Sequence, residues 1–383
     1  MKPLIYLDNN STTQVDVRVL ESMLPYFSEK YANANSQHLF GIKVNEAVKV
    51  AREQVSKLIG AEPSEIIFTS GATESINTAI KGIAENYSSK GKHIVTVATE
   101  HHAVLDTCKY LESLGFDITY LSVQRNGLID LKELKSVLRD DTILVSVMYV
   151  NNETGVIQPI KEIAELTHNA NSLFLSDCTQ AVGKIPIDVE ELGIDLMCFS
   201  GHKMYAPKGV GALYLNRTGR KISLPALLHG GGHESGLRSG TLNVPGIVAF
   251  GKACSLALDL MKIDTERIGD LRNTLEEGML KLPNTILNGS TKHRIYNVIN
   301  ICFSGRDANT MIGWMKNVAV SNGSACSSAT IEPSHVLKSM GLSDAEAFAS
   351  IRFSLGRFND DADIQTVIEI FHNYYSQFPI EYA

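Results

Sequence analysis

Leu196-Met197-Cys198-Phe199-Ser200-Gly201-His202-Lys203-Met204-Tyr205-Ala206-Pro207-Lys208-Gly209-Val210 is the stretch on which the reading of this chain turns. An apolar run from Leu196 to Phe199 and a second from Val210 to Leu215 have the length and the Gly and Pro punctuation of buried strands. Lys203 falls between them, which places it on a short turn at a sheet edge. An amine there is partly desolvated, and desolvation lowers its pKa toward the free-base form needed for a Schiff base with an aldehyde. A lone lysine in a polar loop reads first as a surface residue. Its neighbours along the chain decide otherwise.

Working outward, short apolar strands alternate with helical segments. Strands are expected at Glu65–Phe68, His93–Val97, Asp117–Leu121, Ile143–Val147 and Leu173–Ser176, with helices at 75–87, 103–114, 131–138 and 160–169. This order predicts an α/β fold whose mainly parallel sheet is flanked by helices on both faces. Function in such sheets gathers beyond the strand C-termini. Those positions carry Glu100-His101-His102, Asn151-Asn152-Glu153-Thr154-Gly155 and Asp177-Cys178-Thr179-Gln180. Taken singly, each is an ordinary turn or helix cap. Thr69-Ser70-Gly71-Ala72-Thr73-Glu74 joins a strand to a helix start, where free backbone N–H groups and the helix dipole favour an anion. By itself this turn also reads as an N-capped helix with no ligand, and with neither a Walker pattern nor GxGxxG present a nucleotide is not the first expectation.

At the front, Leu4–Leu7 reads as a strand ending in Asp8-Asn9-Asn10-Ser11-Thr12-Thr13, followed by a helix from 15 to about 27. The apolar positions Val44, Val48, Ala51, Val55, Leu58 and Ile59 form a helical core stripe. Beyond Lys203, the glycine-rich run His229 to Thr241 is flexible and polar. Asn243-Val244-Pro245 ends the larger domain, residues 15–245. The smaller α+β domain combines 1–14 with 246–383, with helices at 247–261 and 265–282, strands at 297–303 and 351–354, and a helix at 362–375. Between its strands lies Ser321 to Ala329, where Cys326 sits among small polar residues with no apolar packing.

The 383 residues carry a net charge of −7 without long single-sign blocks, and no uninterrupted apolar run reaches membrane length. Direct nucleic-acid binding and membrane attachment are not expected, and a cytosolic protein acting on small molecules and protein partners is. The 6 cysteines lack metal or disulfide spacing, so no metal site is expected, and Cys108, Cys198, Cys254 and Cys302 read as core residues.

Assembled, these motifs resemble the pyridoxal-phosphate-dependent cysteine desulfurases of the NifS/IscS-like group, within the class V aminotransferase-type enzymes of fold-type I. The resemblance runs over almost the full length. It is carried by Tyr6-Leu7-Asp8-Asn9-Asn10, Phe68 to Ser75, Thr99-Glu100-His101, Val150 to Glu153, Ser200 to Lys203, Arg238-Ser239-Gly240-Thr241, Gly323-Ser324-Ala325-Cys326 and Arg352-Phe353-Ser354. It implies that Lys203 carries the covalent link to the cofactor, His101 stacks on the ring and relays protons, and Asp177 pairs with the pyridinium nitrogen. Gln180 is implied to meet the ring hydroxyl oxygen. Ala72, Thr73, Ser200 and His202 are implied to hold the phosphate, with Thr241 reaching it from the second subunit of a homodimer. Asn152, Asn33 and Arg352 are implied to place the L-cysteine substrate, Asn152 also touching the cofactor and Arg352 acting through a bidentate pair with the substrate carboxylate. Cys326 is implied to take the sulfur as a persulfide and pass it to an acceptor protein. Acceptors in the group serve iron–sulfur cluster assembly, tRNA thiolation, cofactor synthesis or sulfur modification of DNA.

Three departures from the group's pattern stand out. A Gly-Asn-Pro-Ser-Ser run is replaced by Ala32-Asn33-Ala34-Asn35-Ser36, losing a rigid proline. Cys178 follows Asp177 in place of a small residue, and Ser235-Gly236-Leu237 removes basic residues after Gly-Gly-Gly-His-Glu. Competing expectations are a selenocysteine lyase, another class V aminotransferase-type enzyme, and a non-catalytic scaffold that binds the sulfur acceptor. Cys326 counts against the aminotransferase, and intact Lys203, His101 and Cys326 count against the scaffold.

Overall fold

The computed structural model describes residues 4–217, 219–323 and 332–379. Its strands are β1 (Ile5–Tyr6), β2 (Ile66–Thr69), β3 (His93–Val97), β4 (Asp117–Leu121), β5 (Thr142–Ser146), β6 (Leu173–Asp177), β7 (Leu196–Ser200), β8 (Gly211–Leu215), β9 (Thr285–Asn288), β10 (Val298–Phe303), β11 (Val318–Ala319) and β12 (Ser350–Ser354). Seven of them form the central sheet in the order β2-β8-β7-β6-β5-β3-β4. From β4 to β7 neighbouring strands run parallel, whereas β8 is antiparallel to both β7 and β2. Every residue of β3, β5, β6 and β7 is buried. That matches continuous apolar strands covered on both faces.

Side chains alternate across the pleat, so Val95 and Val97 join one core cluster while Ile94 joins the other. The helices Leu39–Ile59 and Ile160–Asn169 cover the first side, and Ala72–Tyr87 and His102–Ser113 the second. A third cluster, with Phe303, Phe353 and Phe371, lies between the antiparallel sheet β12-β10-β9, the parallel pair β1-β11 and the helix Asp361–Gln377.

Three local expectations are corrected. The Lys203 turn is not at a lateral edge, since β7 lies inside the sheet between β8 and β6 and the turn continues from its C-terminal end. The helix expected over 15–27 is divided at Pro25, which has no N–H to donate, into Val17–Met23 and Pro25–Ser28. The two helices expected after Pro245 are one, Val244–Leu280. The charged stretch that looked like a break holds Asp264, which is buried and paired with Arg357 at 2.9 Å, so the helix runs on through it. This helix is also long and apolar enough to cross a membrane by composition, with a window of mean hydropathy 1.5, but 56% of that window is buried inside the molecule. It packs against Leu39–Ile59 so closely at Gly251 that a Cβ there would lie 2.6 Å from the Ala51 Cα. Cys178, the residue after Asp177, is wholly buried core, with its thiol pushed up by burial, and is not among the residues that line the cavity described below.

Candidate active site

A cavity of about 460 Å³ opens where the C-terminal ends of β2, β5, β6 and β7 meet the chain segment after β1 and the side of β12. It brings together ten of the residues singled out from sequence: Ala72, Thr73, His101, Asn152, Asp177, Gln180, Ser200, His202, Lys203 and Arg352. Asn33 and Thr241 are exposed and do not line it. The Asn33 carboxamide oxygen instead accepts from the Asn35 N–H at 2.9 Å. Cys326 lies outside the described residues.

The Lys203 turn is a single 3-10 turn, Gly201–Lys203, whose backbone is tied to the N-terminal segment by Thr13 donating to the His202 carbonyl from both N–H (2.9 Å) and hydroxyl (3.0 Å). Lys203 Nζ donates to the carbonyls of Asn10 at 2.7 Å and Ser11 at 2.6 Å. Thus the Lys203 amine is aimed by backbone acceptors contributed from nearly two hundred residues away. Burial, with help from the nearby cations Lys203 and Lys208, pushes His202 down to about 4, so its ring is neutral.

Asp177 ends β6 and is buried, with the Thr179 N–H donating to its Oδ1 at 2.9 Å. His101 caps the helix His102–Ser113 by accepting the Ala103 N–H on Nδ1 at 3.1 Å. In the neutral ring, Nε2 therefore carries the proton. Burial pushes the His101 pKa down, against the opposing pull of Asp177, so neutrality is the favoured state. Directly before it, Glu100 is fully buried with Oε2 unpartnered, and burial followed by the charge of Asp177 pushes its carboxyl up strongly. It is a buried acid beneath the site whose burial favours the neutral form, and sequence reading assigned it no role.

The turn read as a phosphate cradle has this geometry. Gly71 precedes the helix Ala72–Tyr87 at φ +152°, a conformation that favours glycine, and no side chain caps this helix start. Ser200 closes the other side, its Oγ 3.4 Å from where a Gly71 Cβ would be. Thr179 Oγ1 is buried without a partner and lines the same cavity. Uncapped helix N–H groups, an orphan hydroxyl, an accepting buried carboxylate and an aimed amine together form a set of groups suited to a phosphorylated pyridine aldehyde.

On the opposite wall, Arg352 projects from β12, nearly buried. Its Nη2 donates to Asp8 Oδ1 at 2.6 Å and Ser11 Oγ at 2.7 Å, and its Nη1 to the Asn152 carbonyl at 3.1 Å, while Nε is unpartnered. Asp8 and Ser11 were visible in sequence only as a turn. Two further ion pairs, Arg52–Glu234 at 2.7 Å and Arg238–Glu74 at 2.9 Å, pin the loop before Thr241 to the large sheet's helices. The first holds Glu234 at φ +50°, and Glu234 also accepts the Phe68 N–H at 2.8 Å.

The model of the aminotransferase class-V family matches residues 5–367. The chain belongs to that family. Within it, the chain is 51% identical over 373 residues to the cysteine desulfurase IscS of Escherichia coli O139:H28, covering 97% of this chain and 92% of the relative. Among solved structures, a NifS-like protein superposes with a TM-score of 0.92 at 37% identity, over 98% of this chain and 100% of that one. SspA, solved in complex with cysteine, superposes with a TM-score of 0.83 at 38% identity, covering 93% and 99%. The family's fold-type I sheet and pyridoxal-phosphate dependence are those of this chain.

Proposed function

We infer that the protein is a pyridoxal-phosphate-dependent cysteine desulfurase, taking sulfur from L-cysteine, releasing L-alanine and passing the sulfur to an acceptor protein. The observation that carries this reading is the convergence of Lys203, Asp177 and His101 on one wall of a cavity whose other wall presents Arg352. When bound, the cofactor supplies an electron sink for charge that develops on the substrate. The uncapped helix start with Ala72 and Thr73, together with Ser200 and His202, suits its phosphate, and Asp177 its ring nitrogen. Gln180 suits the ring hydroxyl oxygen.

The chain's own residues divide the work as follows. Arg352 binds the substrate carboxylate, exchanging part of its contact with Asp8 for it, and Asn152 orients the same end. Lys203 Nζ, held between the Asn10 and Ser11 carbonyls, is placed to move a proton at the substrate α-carbon. His101 Nε2, protonated in the capping tautomer, is a proton donor to the site. Its role as acceptor for the Cys326 proton requires that cap to open. The Cys326 thiolate attacks the substrate sulfur; the new S–S bond forms as the C–S bond breaks, its electron pair remains with carbon, and a proton there completes alanine.

We read the enzyme as a cytosolic homodimer that contacts neither nucleic acid nor membrane directly. Support comes from Thr241, which is exposed at the end of a loop fixed by two ion pairs and does not line its own chain's cavity, as a residue that serves a second copy's phosphate would not. The division into residues 15–245 and 1–14 with 246–383 is likewise our reading, supported by the separate core built around β10 and β12. The test is borohydride reduction of the purified yellow protein followed by peptide mapping. The cofactor is expected fixed at Lys203, and Cys326→Ser is expected to keep its colour and lose persulfide formation. Protein that stays colourless in pyridoxal phosphate would overturn the reading.

A further inference from the structure

Lys184 lies beyond the cavity wall, only 7% exposed, yet it is a lysine. Among the described residues its ammonium has one hydrogen-bond acceptor, Gln180 Oε1 at 2.6 Å, and the charged groups acting on it, Lys203 and Arg352, are both cations. A buried cation without a carboxylate is costly to folding, and burial pushes this one down to about 7. An apolar side chain of the same length would fill the space at less cost. The contact with Gln180 shows what Lys184 contributes. With Oε1 held by Lys184, Gln180 must turn its amide nitrogen the other way, and Nε2 donates to the Asn10 carbonyl at 2.9 Å. That same carbonyl accepts from Lys203 Nζ. Gln180 Nε2 has a second hydrogen, and Gln180 lines the cavity. The amide therefore presents a donor, not an acceptor, to whatever occupies the site.

We propose that Lys184 is a positioning residue that locks the Gln180 amide with its N–H edge toward the cavity, so that the site selects an anionic ring oxygen. This rests on the reading that the cavity holds pyridoxal phosphate. Lys184 touches neither cofactor nor substrate in this account; it acts through Gln180. Two charged groups act on Lys184, the cations Lys203 and Arg352; Asp177 lines the same cavity as Gln180, and Asp8 is the partner of Arg352.

The test is a spectroscopic double-mutant cycle on the holoenzyme with Lys184→Met and Gln180→Leu. Removing the donor behind the hydrogen bond, which frees the Gln180 amide to turn, is expected to raise the pH midpoint of the bound cofactor's visible absorption by about one unit. In the Gln180→Leu background the same change is expected to have little further effect. Lys184→Gln, which keeps an amide donor without charge, is expected to fall between and serves also should the methionine variant fold poorly. A midpoint unmoved in coloured, folded protein would overturn the proposal, as would a shift undiminished without Gln180, which would mean a direct field rather than a held amide. Neither result would touch the cofactor assignment, which fails only if the wild-type protein takes up no chromophore.

Discussion

The two walls of the cavity are built by different means. The cofactor wall is made at strand ends of one sheet, where β6 delivers Asp177 and β7 delivers Ser200 and the Lys203 turn within a single parallel register. The substrate wall is made by Arg352 of β12, held in place by Asp8 and Ser11 from a segment about 340 residues earlier. The N-terminal segment is the seam, because the Asn10 and Ser11 carbonyls hold Lys203 while Ser11 Oγ and Asp8 hold Arg352. One wall is built on the strand ends of a single sheet and braced by the N-terminal segment; the other is assembled only when the two ends of the chain meet.

The sharpest break is at the cofactor wall. Lys203→Arg, which keeps charge but cannot leave it or form the link, is expected to cut turnover by about 10⁴-fold and to abolish borohydride fixation, measured by alanine release and peptide mapping. A smaller loss is expected on the other wall. Arg352→Lys gives up the bidentate fork and should lower kcat/KM for cysteine by about 10²-fold, mostly in KM, while the absorption spectrum of the resting enzyme stays that of the wild type. If both variants changed the spectrum alike, the separation of the walls would be wrong.

This difference in construction also explains what could be read before any coordinates. Lys203, Asp177, His101 and the Thr69–Glu74 turn each follow a strand, so local periodicity and the rule that α/β sites lie beyond strand C-termini were enough to group them. The sheet and its helices were legible for the same reason. Asp8, Glu100 and Lys184 were not, because nothing local distinguishes a turn aspartate from an arginine clamp or a helix-like lysine from a buried one. The continuous helix Val244–Leu280 was hidden similarly, since Asp264 looks like a solvated break until Arg357 arrives from the far end of the chain. Long-range ion pairs leave no periodic trace.

Asp8 offers a finer test of the seam. In Asp8→Asn the guanidinium loses its charged partner but keeps Ser11, so Arg352 is less restrained and less neutralised. We expect KM for cysteine to change by about tenfold with kcat within about twofold, read from initial rates. An equal loss in both parameters would mean that Asp8 also steadies the Lys203 side.

The mildest prediction concerns Glu153, which stands just beyond Asn152 on the substrate wall and never reaches the cavity. It is buried, Ser334 donates to its Oε2, and Gly323 at φ +79° packs so tightly that a Cβ would lie 2.5 Å from the same oxygen. Burial pushes its carboxyl from 4.5 up to about 7, against the opposing effect of the Ser334 hydrogen bond. The folded state therefore holds a proton that the unfolded chain has released, so this residue's contribution to stability falls as pH rises from 4.5 to about 7 and is constant beyond. The slope in that window is about 1 kcal/mol per pH unit. Glu153→Gln, neutral at all these pH values and able to accept from Ser334, removes the slope. Urea unfolding of both proteins across the window should show the variant gaining on the wild type as pH rises. Parallel curves would show that Glu153 is ionised in the folded protein, and that the substrate wall, like the cofactor wall, holds a buried carboxylate charge.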